Sequence, residues 1–156
     1  MERRCWLVKT EPESFSIDAL ARVGRTMWDG VRNYQARNYM RDGMRVGDEV
    51  LVYHSNASPP GVAGIARVAS AAYPDPTAFD PNDHHYDPDS KPDDPRWLLV
   101  DLEFVEKLPA LVTLDGMKQD PALDGMMILR KGNRLSITPV EPAHYDHIVA
   151  IGRALR

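Results

Sequence analysis

Trp28-Asp29-Gly30-Val31-Arg32-Asn33-Tyr34-Gln35-Ala36-Arg37-Asn38 is the stretch on which the reading of this chain turns. Two aromatics, two Asn, one Gln and two Arg crowd into eleven residues that offer little to a hydrophobic core. Asp29-Gly30 marks a turn, because glycine adopts at no steric cost the positive φ that such turns often need. Beyond it, Asn33 to Arg41 is expected to run as a helix closed by Gly43. Trp28 then stands in a loop beside a helix N-terminus, with Asn33 in the first turn. An aromatic face next to amide donors and acceptors suits a flat, hydrogen-bonding ligand such as a nucleobase. The residues alone leave a second reading equally open, in which Trp28 is a core aromatic and its polar neighbours form a solvated helix face.

Other segments bear on the choice. Trp6-Leu7-Val8-Lys9-Thr10-Glu11-Pro12 precedes the stretch, and Gly47-Asp48-Glu49-Val50-Leu51-Val52-Tyr53-His54-Ser55 follows it. Pro95-Arg96-Trp97 and Arg134-Leu135-Ser136-Ile137-Thr138-Pro139-Val140 come later. Each is short, but in this order they resemble the EVE domain family, a PUA-like group related to the YTH readers of methylated adenine. The resemblance spans the whole chain. It implies an α+β fold, a PUA-like twisted, partly closed β-barrel with peripheral helices. Its pocket would lie between the N-terminal strand, the central stretch and the strand end at Tyr53–Ser55. Ligand-binding roles carry over to Trp6, Lys9, Trp28, Val31, Asn33, Tyr53, His54, Ser55, Arg96 and Trp97. The function implied is that of a non-enzymatic module holding a flipped, modified base, cytosine or adenine, in DNA or RNA.

At 156 residues the chain is expected to form one domain, long enough to bury a core without staples. A single cysteine, Cys5, excludes an intrachain disulfide and any Cys-rich metal site. No apolar run follows Met1-Glu2-Arg3-Arg4, and no stretch is long enough to span a bilayer. These features point to a reducing compartment, the cytoplasm, and to a monomer without membrane contact.

The net charge of −4 runs against the basic balance usual in nucleic-acid binders. Its distribution is uneven. From Arg22 to Arg45 six Arg face Asp29 and Asp42, a local balance of +4. From Asp75 to Asp94 seven Asp face Lys91, a balance of −6. Without that acidic segment the chain is slightly basic, enough to track a phosphate backbone with modest affinity.

Strands are expected at Cys5–Lys9, Gly47–His54, Val62–Ala72, Arg96–Leu108 and Arg134–Thr138, with Pro139 ending the last ladder. A short helix capped by Ser14 or Ser16 should reach Arg22 and stop at Gly24. Short helical pieces fit Leu111–Gln119 and Leu123–Met127. Pro142 should open a last helix with Tyr145, Ile148, Val149 and Ile151 on its apolar face. Tyr73–Pro95, rich in Pro and Asp, reads as a long surface excursion that is mobile or packs through its aromatics.

Catalytic patterns are thin. His144 and His147 have helical metal-ligand spacing but no evident third partner, and His84-His85 lies in the acidic segment. His54 and Ser55 adjoin on a strand, so their side chains diverge. No phosphate loop or nucleophile elbow occurs. Neither a cofactor nor a metal is expected. For binding, Trp28 is the best stacking candidate. Lys9, Arg32, Arg37 and Arg96 are candidate phosphate contacts, Arg32 and Arg37 foremost. A sensor of a free nucleoside or other planar metabolite, and a nucleic-acid-processing enzyme, are the alternatives.

Overall fold

The computed structural model describes residues 3–155. Eight strands form in chain order: β1 (Cys5–Thr10), β2 (Arg25–Met27), β3 (Glu49–His54), β4 (Gly61–Val68), β5 (Tyr73–Pro74), β6 (Leu98–Leu99), β7 (Asp101–Thr113) and β8 (Ile137–Val140). The helices α1 (Ile17–Val23), α2 (Tyr34–Asn38), α3 (Leu114–Lys118) and α4 (Pro142–Ala154) lie around them. Six strands make one curled sheet in the order β2-β7-β4-β3-β1-β8, a half-barrel, while β5 and β6 pair separately. Only β1 and β3 run parallel, Trp6 opposite Val50 and Lys9 opposite Tyr53. The architecture is the α+β, PUA-like one expected.

Strand alternation explains why β1 and β3 read as almost unbroken apolar runs: both faces of the sheet are covered. Trp6, Val8, Val50 and Val52 enter one core with Ile17 and Leu20 of α1, Trp28, Val31, Ala36 and Met40. Cys5, Leu7, Leu51 and Tyr53 enter the other, closed by Tyr145, Ile148 and Val149 of α4. Leu20 is wholly excluded from solvent, so truncating it to Ala should cost roughly 2–5 kcal/mol.

Several boundaries differ from expectation. Asn33 is the cap of α2 rather than its first turn, its Oδ1 accepting from the Ala36 amide at 3.0 Å. The helix then widens into one π turn, Tyr39–Gly43. The long strand begins later than expected and runs through Pro109 to Thr113. Its register against β4 jumps between Lys107 and Val112, so Pro109, which has no amide to donate, falls where the ladder is interrupted. Pro139 does not end β8 either. It pairs opposite Trp6, tolerated because β8 is an edge strand.

The acidic segment is the largest correction. It is fastened by polar contacts, not by aromatic packing alone. Asp75 is fully buried and accepts from the amides of Gly30 (2.8 Å) and Thr77 (2.9 Å) and from the Thr77 hydroxyl (2.6 Å). Asp87 accepts from the Trp97 indole at 2.7 Å, and the Ser90 hydroxyl from the Arg96 amide at 3.0 Å.

Candidate nucleic-acid interface

Where β1 ends, Lys9 and Thr10 meet the loop residues Ser14 and Phe15. Thr26, Met27, Trp28 and Asp29 close a second side, and His84 and His85 of the acidic segment a third. Between them opens a pocket of about 460 Å³, within the range of small-ligand sites. Trp28 belongs to both earlier readings. It is 8% exposed, part of the first core, tied by its amide to the Val100 carbonyl at 2.9 Å and met edge-on by Phe15. It also walls the pocket. The indoles of Trp6 and Trp97 donate to Asp48 (2.9 Å) and Asp87 (2.7 Å). The Trp28 indole N–H has no such partner among the described residues. No buried side-chain nitrogen is left unpaired among the described residues, so this N–H keeps some contact with solvent.

Of the residues expected to bind ligand, Lys9 and Trp28 are brought together in the pocket. Trp6 faces the first core, against Tyr39, with its ring end beneath Gly43. Val31 is buried in the same core, and the amide oxygen of Asn33 is engaged in capping. Tyr53 lies in the second core, where burial raises its hydroxyl pKa. His54 Nε2 accepts from the Ile17 amide at 3.1 Å, and burial lowers its pKa. That nitrogen is therefore unprotonated in the fold and already used as a cap for α1. Ser55 donates its amide to the Thr10 carbonyl. These six stand away from the pocket because strand pairing, capping and core packing claim them.

Arg96 and Trp97 form a separate group with α2. Trp97 stacks on Tyr34 at 4.9 Å, the Arg32 guanidinium lies over Trp97 and that of Arg37 over Tyr34. Arg96, Arg37 and Lys91 edge a second hollow of about 320 Å³, but Asp89 and Asp94 share it. Arg37 donates to the Arg96 carbonyl at 2.9 Å and to Asn38. Arg32 is more fully engaged. It bonds the His85 carbonyl through Nε and Nη2, Thr77 through Nη2, and both Val31 O and Asp75 through Nη1. Expected as a phosphate contact, it is a clasp within the fold.

Gly30 makes this closure possible. Its φ is +77°, and a Cβ there would lie 2.6 Å from the His85 ring. Asp83, His84 and His85 bring their ligand atoms within 4.8 Å of one another, but Asp83 Oδ1 already accepts the His85 amide at 2.8 Å. Three adjacent groups on one loop fall short of a closed structural zinc set. Thr10, Ser14, Phe15, Thr26, Met27, Asp29, His84 and His85 line the pocket without having been expected to bind ligand. Thr10, Met27 and Asp29 had a local signal, their adjacency to Lys9 or Trp28. The others are gathered by contacts distant in sequence.

A family model described as the EVE domain matches residues 4–151. The chain belongs to the EVE domain family. Human thymocyte nuclear protein 1 is 41% identical over 164 residues, covering 94% of this chain and 72% of its own length. A Pseudomonas putida protein of solved structure superposes with a TM-score of 0.91 at 49% identity, covering 94% of this chain and 98% of that one. Human THYN1, solved in complex with DNA containing 5-methylcytosine, gives 0.89 at 38% identity, covering 98% and 99%. A YTH domain from Zygosaccharomyces rouxii shares the fold of this EVE domain at 14% identity and a TM-score of 0.56, covering 99% and 87%. The cytoplasmic placement expected from the sequence is overturned by this comparison, because the curated EVE relatives from human, rat and mouse are named nuclear proteins. No described helix is long and apolar enough to cross a membrane, which separates neither compartment from the other.

Proposed function

We propose that this EVE domain is a non-enzymatic reader of nucleic acid carrying a modified cytosine or adenine, held swung out of its stack against Trp28. The observation that carries the reading is the Trp28 wall itself: a rigid indole fixed by the core, with its N–H unengaged, on a pocket of about 460 Å³. Extruding a base costs a few kcal/mol, and stacking plus edge hydrogen bonds must offset it. The complex of human THYN1 with DNA containing 5-methylcytosine supports the same ligand class in a relative 38% identical. The engagement of His54 Nε2 in capping α1 ties up that candidate general base, and the reading assigns no catalytic residue.

The net charge of −4 favours a second reading, a sensor of a free modified nucleoside. Titrating modified nucleosides and matched oligonucleotides at two salt concentrations separates the two. Salt-sensitive binding of oligonucleotides alone supports the reader. Salt-independent binding of the free nucleoside with equal affinity overturns it in favour of the sensor.

A further inference from the structure

Most charged groups around the pocket are paired. Arg32 holds Asp75, Asp83 faces both His84 and His85, and Asp87 holds the Trp97 indole. Two are not. Among the described residues the Lys9 ammonium makes no ion pair and no hydrogen bond, and burial alone lowers its pKa. The Asp29 carboxyl likewise has no side-chain partner. Burial, then the neighbouring Asp75 carboxylate, raises its pKa. Both line the pocket that Trp28 walls, yet they do not reach each other. Opposite charges in one pocket would normally close on one another or on a neighbour, since an unpaired, partly desolvated charge is costly. Kept apart beside an aromatic wall, they form a donor and an acceptor facing a common space.

We propose that Asp29 and Lys9 read the two ends of a cytosine-type edge, Asp29 accepting from the 4-amino group and Lys9 donating to the 2-carbonyl oxygen. The assignment rests on the base-pocket reading above. A base stacked on Trp28 would share the pocket with both groups, its amino end toward Asp29 and its carbonyl end toward Lys9. Carboxylates accept from the amino group of cytosine in duplex readout for the same reason of complementarity. Adenine carries an amino group but no carbonyl for Lys9. Thymine carries the carbonyl but turns a second oxygen toward Asp29, where a carboxylate repels it. The pocket thus sorts bases by their polar edge, and the methyl group of 5-methylcytosine, absent from that edge, is left to the apolar lining of Phe15 and Met27.

Thymine and 5-methylcytosine differ only at this edge, which makes them the decisive pair. Oligonucleotides identical but for 5-methylcytosine, thymine or N6-methyladenine at one position, and the three free nucleosides, are titrated against wild type, Asp29→Asn, Lys9→Met and Trp28→Phe. Wild type should prefer 5-methylcytosine over thymine by about tenfold or more. Asp29→Asn, whose amide donates as well as accepts, should erase or reverse that ratio while melting like wild type, because Asp29 holds nothing else in place. Lys9→Met should weaken both pyrimidines together and leave their ratio intact. An unchanged ratio in Asp29→Asn, with binding still sensitive to Trp28→Phe, overturns the edge assignment and leaves the pocket standing. Binding indifferent to Trp28→Phe overturns the pocket itself.

Discussion

Arg32 Nη1 lies 3.0 Å from Asp75 Oδ2, and this pair, its carboxylate fully buried, locks the acidic segment onto the turn after Trp28. The same carboxylate takes the Gly30 amide, and the same guanidinium takes the His85 carbonyl. One ion pair therefore positions two walls of the pocket, the indole side and the histidine side. Removing one partner of a buried pair leaves the other uncompensated, which typically costs about 3–5 kcal/mol. Arg32 is partly solvated, so Arg32→Ala should sit near the lower end, about 3 kcal/mol, with loss of hydrogen-exchange protection across residues 73–97. Protection in that segment equal to wild type would show that the clasp is dispensable.

A smaller change should disturb the same corner. Gly30→Ala forces an L-residue into the left-handed region, at roughly 1–2 kcal/mol, and drives a methyl group toward the His85 ring. His85 must move, so base affinity should fall more than stability does. Paired melting and binding measurements check this. A variant that loses stability but binds normally would detach His85 from the site.

Two contributions to the acid response share a sign. Burial pushes the Asp75 carboxyl up, but hydrogen bonds from Thr77, Gly30 and Arg32 outweigh it and hold it below the usual carboxylate value. Its stabilisation is present above the unfolded value of 3.8 and lost as pH falls through the lower folded one. His54 is also depressed, by burial, from 6.5. The unfolded chain then binds a proton that the folded one resists, so stability should decline as pH drops below 6.5. His54→Gln keeps an acceptor for the Ile17 amide without titrating. Denaturant melts from pH 7.5 to 5 should slope less for His54→Gln than for wild type, and identical slopes would remove His54 from the acid response.

Much of the fold was legible because its signals are local. The apolar run of Cys5–Lys9 and the stop at Gly24 need no distant partner to be read. The pocket was legible only in part. Trp28 and Lys9 stand out in the sequence, but Trp6, Tyr53 and His54 carry the same chemistry, and only contacts distant in sequence place them in the cores and at a helix cap. Arg32 shows the same limit: a guanidinium on a polar stretch offers itself to phosphate, and its engagement by Asp75, 43 residues on, leaves no local trace. The acidic segment looked mobile because its composition cannot build a core, and its anchoring by buried polar contacts leaves no periodic trace.

Trp28 is the residue on which the functional reading stands, and the structure changes how it must be tested. Because the indole is core and wall together, Trp28→Ala should cost about 3–5 kcal/mol and confound binding with unfolding. Trp28→Phe retains most of the buried volume and an aromatic face. It removes the open indole N–H and part of the stacking area. Base stacking is worth about 1–3 kcal/mol, so losing part of it should weaken binding of the modified-base oligonucleotide about tenfold. The melting temperature should fall far less than in Trp28→Ala. Affinity for unmodified single strands, dominated by phosphate contacts, should change little. A folded Trp28→Phe variant that binds the modified base as wild type does would make Trp28 a core residue that merely borders the pocket.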